Sequence, residues 1–210
     1  MYSKFLTLNK EKQDKIINAA LKIFANSSYK NASTDEIVTQ AEISKGSLFH
    51  YFKSKKDLYL FMYDYSIKVF VSDFYDRIDL TERDIFNRFS NIISVKFDLI
   101  KKYPDLFDFI LNAMYDDTSK MKNEISEKNN QVLIQNYATI FGNIDKSKFR
   151  PDIDSDKAIE MIMLTMEGYS NKESLNAKKV GYSDELYNKW TVEINQFIDI
   201  MKKIYYLGGE

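Results

Sequence analysis

The stretch ISKGSLFHYFKSKKDL at residues 43–58 brings the single histidine of the chain together with aromatic side chains and four lysines. An ordinary surface helix would have no use for the aromatic side chains, and a core helix would not contain the lysines. We therefore expect one side of this segment to pack in a core. The other side presents hydrogen-bond donors, a basic group and flat rings to a partner.

Two helices are predicted before this stretch. Ile16, Ala20 and Phe24 repeat at four-residue spacing, which predicts an amphipathic helix over residues 9–25. A second, short helix is predicted over residues 34–41, because a serine at capping-box spacing from a glutamate and an acidic first turn mark its start. Each helix is expected to bury one apolar face.

The quoted stretch itself supplies the next two helices. Ser44 is a suitable N-cap for a short helix over residues 45–51, after a connection of about three residues, the length expected in a helix-turn-helix. Leu48 and Phe52 lie four residues apart, so both can pack against the two preceding helices. Ser54 can cap a fourth helix that continues the inward stripe.

The composition favours an all-α protein without a metal or a cofactor. The 210 residues include six glycines and two prolines, too few for a turn-rich β protein. The absence of cysteine excludes disulfides and thiolate metal sites, and a single histidine argues against a histidine-built metal or catalytic centre. No nucleophile–base pair, glycine-rich phosphate loop or metal-ligand spacing is visible, so we predict no enzyme and no cofactor.

The hydropathy pattern and the charge bear on location and partners. Apolar runs are too short to span a bilayer, and the first residues lack the apolar stretch of a signal peptide, so we expect a cytoplasmic protein without a membrane partner. Residues 1–60 contain ten lysines and six acidic residues, a net charge of +4, whereas residues 61–210 carry 20 basic and 25 acidic groups, a net charge of −5. A basic head suggests a polyanionic partner, although a chance fluctuation of solvated charges is an equal alternative on charge alone.

Residues 10–60 resemble the DNA-binding domain of the TetR family of bacterial transcriptional regulators. The spacing, the caps and the outward-facing residues agree together over this range. Ser28 and Glu42 depart from the pattern because glycine is usual there, and Phe49 departs because tyrosine is common. The matching residues are Ala20, Phe24, Thr34, Ile37, Ala41, Ile43, Ser44, Lys45, Gly46, Ser47, Leu48, Phe49, Tyr51, Phe52, Lys55 and Leu58.

The resemblance implies a fold and a function. The expected fold is all-α, with an N-terminal three-helix helix-turn-helix DNA-binding domain over residues 1–55 and a C-terminal helical effector-binding and dimerisation domain over residues 56–210. The implied function is that of a transcriptional regulator, a repressor that a small-molecule effector releases from a palindromic double-stranded DNA operator. The residues leave open an activator, and also an all-helical ligand carrier or enzyme whose basic head is incidental.

The same resemblance implies roles for single residues on DNA. Lys45 and Ser47 would reach base edges at the start of the recognition helix, where Gly46 permits a close approach. Phe49 would contact a thymine methyl group or the sugar backbone, and Thr34 would meet a phosphate. Taken singly, each residue is more often an ordinary surface residue or helix cap than a DNA contact. The predicted DNA-binding set is Thr34, Ser44, Lys45, Gly46, Ser47, Phe49, His50, Tyr51 and Lys55.

Helices are also predicted over the rest of the chain, near residues 82–102, 104–116, 121–142, 155–171 and 184–206. The last two contain apolar stripes at spacings of three and four, which resemble the dimer seam of the family. The alternative is that these stripes face the protein's own core. The predicted homodimer interface consists of Ile159, Ile162, Met166, Trp190, Ile194, Phe197, Met201 and Ile204.

The middle helices are rich in phenylalanine, tyrosine and methionine. For any single residue, this pattern indicates core packing more often than a binding site. An effector pocket is implied by the resemblance, with polar groups that orient a ligand of unidentified class. The candidate ligand-binding residues are Phe89, Asn112, Tyr115, Asp116, Tyr137, Met163 and Glu167.

Overall fold

Helices form the regular secondary structure of the chain, as the composition predicted. The computed structural model describes residues 2–115 and 121–208, with the side chains of residues 133–135 outside that description. A turn of 3-10 helix, Lys146–Lys148, follows the eighth α-helix. The α-helices are α1 (Ser3–Leu6), α2 (Lys10–Asn26), α3 (Thr34–Gln40), α4 (Lys45–Tyr51), α5 (Lys55–Tyr75), α6 (Ile85–Lys102), α7 (Pro104–Tyr115), α8 (Lys122–Phe141), α9 (Ser155–Val180) and α10 (Asp184–Tyr205).

Most helix bounds agree with the sequence, and α9 is the main exception. The bounds of α4 equal the predicted range 45–51. In contrast, α9 continues beyond the predicted end at residue 171 to Val180. The sequence of this extension shows no apolar stripe, because its buried face includes Glu173 and Ser174, whose residue types are usually exposed.

The one-turn helix α1 is absent from the prediction. The rings of Tyr2 and Phe5 pack against those of Phe52 and Phe61, with centroid distances between 4.8 and 5.7 Å. Such aromatic pairs contribute about 0.5–1.5 kcal/mol each beyond their buried area. The contacts therefore fix the N-terminal segment next to the end of α4.

The chain divides into two compact units. The first contains the chain up to Asp73 together with Tyr103–Val132, and the second contains Phe74–Lys102 and Leu133–Glu210. The predicted domains, 1–55 and 56–210, describe a division by function and stay a prediction.

The core of the first unit forms where α2 packs against α3 and α7. The rings of Phe24, Tyr59 and Phe109 contact one another at centroid distances of 4.9–5.6 Å. At the end of α2, Asn112 Nδ2 donates hydrogen bonds to the carbonyls of Ala25 at 2.6 Å and Phe24 at 3.2 Å. These bonds satisfy carbonyl groups that a helix C-terminus leaves without an intrahelical partner.

The core of the second unit lies among α6, α9 and α10 and contains a buried arginine. The side chain of Arg88 is fully buried. It donates hydrogen bonds to the carbonyls of Leu80 (3.1 Å), Glu82 and Ile140, and to Asn143 Oδ1 (3.1 Å). Because a buried guanidinium is costly without acceptors, this network fixes the segment before α6 to the end of α8.

Among the residues that the structure describes, no helix is both long enough and apolar enough to cross a bilayer.

Candidate nucleic-acid interface

The turn between α3 and α4 has the hydrogen bonds of a Schellman motif. The Ile43 N–H donates to the Val38 carbonyl at 3.0 Å, and the Glu42 N–H donates to the Thr39 carbonyl at 3.3 Å. Glu42 has a φ of 55°, in the left-handed region that favours glycine. The expected conformational cost of a non-glycine residue is therefore present at Glu42, at about 1 kcal/mol. Ser28 has no positive φ.

The side chain of Glu42 connects this turn to α2. Lys15 Nζ donates to Glu42 Oε2 at 2.7 Å, and this hydrogen bond lowers the pKa of Glu42. The pair is exposed to solvent, so it contributes little to stability. It orients the turn that leads into α4.

The orientation of α4 follows from its cap and its apolar residues. Ser44 Oγ accepts a hydrogen bond from the Ser47 N–H at 3.0 Å, which confirms the predicted N-cap. Leu48 and Phe52 are each 1% exposed and belong to the core of the first unit. The opposite side of the helix faces solvent.

The structure brings most of the predicted DNA-binding residues together on this solvent side. Thr34 lies at the start of α3 and Lys55 at the start of α5, and the others lie on α4 or at its cap. Thr34, Ser47, Tyr51 and Lys55 are half-buried. The exposed members are Ser44, Lys45, Gly46, Phe49 and His50.

Packing within the chain does not require a glycine at position 46. A Cβ atom built on Gly46 would meet only Ser44 Oγ, at 3.8 Å, which is an ordinary van der Waals contact. The φ of Gly46 is outside the left-handed region as well. The absence of a side chain therefore leaves open space on the outer surface of α4 rather than relieving a contact inside the fold.

Lys45 is held in an ion pair in the free protein. Its Nζ lies 2.8 Å from Asp35 Oδ1 and 3.0 Å from Asp35 Oδ2. Both side chains are mostly exposed, so the pair is worth at most about 1 kcal/mol. An approaching phosphate or base can therefore replace the carboxylate at little cost.

Lys55 is less exposed than the other basic residues of the set. Its Nζ donates to the Lys30 carbonyl at 3.3 Å and lies 4.9 Å from the centroid of the Tyr29 ring. Burial lowers the pKa of Lys55. Because an ammonium group has three donors, two remain for a phosphate.

A groove of about 270 Å³ borders the exposed side of α4. Phe49 and His50 line it, together with Lys4 and Lys53, two lysines that the sequence did not single out. Lys53 lies in the opening stretch, so charge alone could have indicated it. Lys4 depends on α1, which the sequence did not predict.

Most of the residues predicted for the dimer interface are buried in the single chain. Only Phe197 and Ile204 are exposed, at 38% and 50%. Six of the eight residues are buried within the second unit of the single chain, as in the alternative given above, because their stripe faces the core shared by α6, α9 and α10. These six are Ile159, Ile162, Met166, Trp190, Ile194 and Met201.

A different apolar row is exposed on the last two helices. Met161 and Leu164 of α9 are 56% and 64% exposed, and Ile200 of α10 is 57% exposed between Phe197 and Ile204. The Tyr205 hydroxyl lies 3.8 Å from Met161 Sδ, which holds the two helices side by side. We call these five residues, Met161, Leu164, Phe197, Ile200 and Ile204, the outer stripe.

The candidate ligand-binding residues are divided between the two units. Asn112 caps α2 in the first unit, where Tyr115 is 40% exposed. In the second unit, the ring of Phe89 contacts that of Phe141. Asp116 lies outside the described residues. The remaining candidates, also in the second unit, are the exposed Tyr137 and Glu167 and the half-buried Met163.

Comparisons with known proteins agree with this geometry. The profile of the family described as "Bacterial regulatory proteins, tetR family" matches residues 16–61. YuxN of Bacillus subtilis, an uncharacterized HTH-type transcriptional regulator, is 46% identical over 56 residues, which span 27% of this chain and 19% of that protein. The biofilm operon icaADBC HTH-type negative transcriptional regulator IcaR of Staphylococcus epidermidis is 23% identical over 194 residues, 91% of this chain and 99% of that protein.

The fold is also shared over nearly the whole chain. A TetR family transcriptional regulator from Chloroflexus aurantiacus has a crystal structure that matches with a TM-score of 0.66 and 22% identity, covering 98% of each chain. The family profile lies over α2–α4 and the start of α5, where the structure has the helix-turn-helix. Residues 16–61 therefore match the helix-turn-helix domain of the TetR family of bacterial transcriptional regulators, and the whole chain shares the fold of a regulator described as a member of that family.

Proposed function

We propose that this protein is a cytoplasmic, dimeric repressor that binds a palindromic DNA operator and leaves it when a small-molecule effector binds. The observation that carries the proposal is the two-sided nature of α4. One side is locked in the core by Leu48 and Phe52, and the other exposes donors and a cation next to an unobstructed glycine.

The proposed docking places the start of α4 in the major groove. Lys45 exchanges its contact with Asp35 for a base edge or a phosphate, and Ser47 reads an adjacent base edge. The open space at Gly46 lets the helix approach the bases closely. Thr34, His50, Tyr51 and Lys55 contact phosphates on either side and set the register.

The outer stripe supports the proposed dimer. A helix-turn-helix regulator reads a two-fold operator with two copies, and the last two helices expose an apolar row that the described residues of the single chain leave uncovered. Isolated apolar residues on a surface are normal, but five on two neighbouring helices form a patch of the kind found at interfaces. The dimer thus gives the outer stripe a partner.

Repression is proposed from the relative of matching length. IcaR, whose name describes a negative transcriptional regulator, aligns with 91% of this chain. An effector that binds in the helical second unit would provide the release, since the candidate ligand-binding residues Phe89, Tyr137, Met163 and Glu167 lie there.

Fluorescence anisotropy with labelled DNA from upstream of the gene, and with scrambled DNA, tests this proposal. We expect specific binding by the protein, and about tenfold weaker specific binding for Gly46→Ala, because a methyl group on α4 would separate the helix from the bases. The melting temperature of Gly46→Ala should be unchanged or higher, because alanine is the better helix residue. Equal affinity of the protein for both DNAs, or full operator affinity in Gly46→Ala, would contradict the docking.

A further inference from the structure

A small cavity lies inside the second unit, between α6, α9 and α10. Its volume is about 30 Å³, enough for about one or two water molecules or a carboxylate group. Lys96 and Ser170 line one part of it, and Glu173 and Trp190 line another. None of these residues belongs to the candidate ligand-binding set of the sequence, and Trp190 had been predicted at the dimer interface.

The ammonium of Lys96 is without a compensating negative charge among the described residues. Its hydrogen bond goes to Ser170 Oγ at 3.0 Å, and no described carboxylate lies within ion-pair distance of Nζ. Burial lowers the pKa of Lys96, and the more distant charge of Glu167 opposes this effect. The side chain of Lys96 is half-buried, and a cation without a carboxylate partner in such a position either loses its proton or attracts an anion.

The acidic group of the same cavity is already compensated. Glu173 is 5% exposed, and its Oε2 accepts a hydrogen bond from Trp190 Nε1 at 2.9 Å. Its Oε1 lies 3.5 Å from Lys172 Nζ. The carboxylate of Glu193 likewise accepts the hydroxyl proton of Tyr169 in a 2.8 Å hydrogen bond. The cavity therefore offers one uncompensated positive charge and no uncompensated negative one.

The rest of the lining is apolar. Ile93, Phe97, Ile100 and Met166 line the cavity. Methionine has a flexible, unbranched side chain, so the wall at Met166 can move to admit a short hydrocarbon chain. A ligand that combines a negative headgroup with a short apolar chain fits both properties of this lining.

We infer that the cavity binds a short-chain monocarboxylate, with the carboxylate paired to Lys96 and the hydrocarbon chain against Phe97 and Met166. The role of this anion as the effector rests on the function proposed above. The binding itself does not depend on DNA, so the two ideas are testable separately.

The fluorescence of Trp190 provides a direct measurement, because it is the only tryptophan of the chain and lines the cavity. The full-length protein is titrated with sodium butanoate at constant ionic strength, and in parallel with sodium chloride and butylammonium chloride. We expect a saturable change with butanoate, and none with butylammonium. Chloride should bind at least about tenfold more weakly because it lacks the apolar chain.

Variants of Lys96 test the assigned counter-charge. Lys96→Met and Lys96→Gln should each weaken butanoate binding at least about tenfold, as the loss of a charge-assisted hydrogen bond predicts. Lys179→Met, an exposed lysine on α9, is the control and should bind as the unchanged protein does. Butanoate at about a hundred times its Kd should raise the melting temperature of the unchanged protein by about 5–10 °C, and that of both Lys96 variants by at most about half as much.

Three outcomes would overturn the inference. These are a butanoate response with an unchanged Kd in both Lys96 variants, an equal response to butylammonium, and no response of the unchanged protein. The titration of unchanged protein with the three salts decides the matter even where a Lys96 variant fails to fold. If the protein binds its operator but the fluorescence of Trp190 does not respond to butanoate, the proposed ligand of the cavity is wrong and the proposed function as a DNA-binding regulator is unaffected. If butanoate binds without weakening operator binding, the cavity stands and the effector role fails.

Discussion

Replacing Ile200 with glutamate should convert the proposed dimer into a folded monomer. Ile200 is 57% exposed in the single chain and lies in the outer stripe between Phe197 and Ile204. The new carboxylate would therefore be solvated in a monomer and buried in a dimer. Burial without a partner makes a charge costly, so only the dimer should lose stability.

The exposed fractions set the magnitude. The exposed fractions of the five residues in the outer stripe sum to the surface of about 2.7 fully exposed side chains in each protomer, and therefore to roughly five in a dimer. At about 2 kcal/mol for each buried side chain, the gross apolar gain is roughly 10 kcal/mol before the cost of association. The two copies of Ile200 supply about 2 kcal/mol of this, and desolvation of two carboxylates adds at least about 2 kcal/mol. The Kd of dimerisation should therefore rise about a thousandfold.

Sedimentation velocity over a range of micromolar protein concentrations measures this change. Leu6→Glu is the control, because Leu6 is 61% exposed on α1 and lies outside the outer stripe. Ile194→Glu is the contrast, because Ile194 is 5% exposed in the core of the second unit. We expect Leu6→Glu to stay dimeric, and Ile194→Glu to lose its cooperative thermal unfolding.

Two results would refute the reasoning. If Ile200→Glu remains dimeric at the concentrations where the unchanged protein is dimeric, the outer stripe is not the interface. If Ile200→Glu loses its circular-dichroism signal together with its dimer, the side chain has a structural role that its exposure does not explain.

The remaining predictions concern a DNA contact and the pH dependence of stability. Lys55→Ala should flatten the slope of log affinity against log salt concentration by ~2 for a dimer, and it should lower the affinity for operator DNA and for unrelated DNA to the same extent. Salt titrations with Lys179→Ala as the control measure both effects. An unchanged slope would mean that Lys55 does not contact a phosphate. Asp84 is buried, and although desolvation raises its pKa, hydrogen bonds from Lys148 Nζ and the Phe86 N–H lower the pKa overall. Because this pKa is below its value in the unfolded chain, the stability that Asp84 contributes is present at neutral pH and is lost as the pH falls below about 4. Asp84→Asn should therefore lower the free energy of unfolding in urea by about 2 kcal/mol at neutral pH, and by progressively less in acid. An equal loss at every pH would contradict this linkage.

The helix-turn-helix could be predicted because its determinants are local. The predicted caps are Ser33 and Ser44, and their hydroxyls accept hydrogen bonds from the N–H groups of Glu36 and Ser47, three residues later. Such bonds depend on residues that are close in sequence. These bonds can therefore be predicted from the local sequence without knowledge of the tertiary structure.

The contacts of the second unit and of the long-range caps could not be predicted in the same way. Asn112 caps a helix whose last carbonyls are 87 and 88 residues away in sequence, and Arg88 donates to a carbonyl 52 residues away. Nothing near either residue indicates its acceptor. Lys96 resembles any other lysine on an amphipathic helix, because only the fold shows that it lines a cavity together with residues of α9 and α10.

The helix α10 shows why the spacing of apolar residues predicted an apolar stripe but not whether the stripe packs in the core or against a second chain. A spacing of alternately four and three residues averages 3.5, whereas a straight helix has 3.6 residues per turn, so a stripe chosen by spacing drifts around the helix. That drift is only about 20° per heptad, and the predicted seam straddles the boundary between two faces: Phe197 and Ile204 are exposed, whereas Trp190, Ile194 and Met201 are buried. The helix has two apolar faces. The inner face contains Trp190, Ile194, Ile198 and Met201, and the outer face contains Phe197, Ile200 and Ile204. The core of one chain covers the inner face, and in the proposed dimer the outer face would pack against the same row of a second copy.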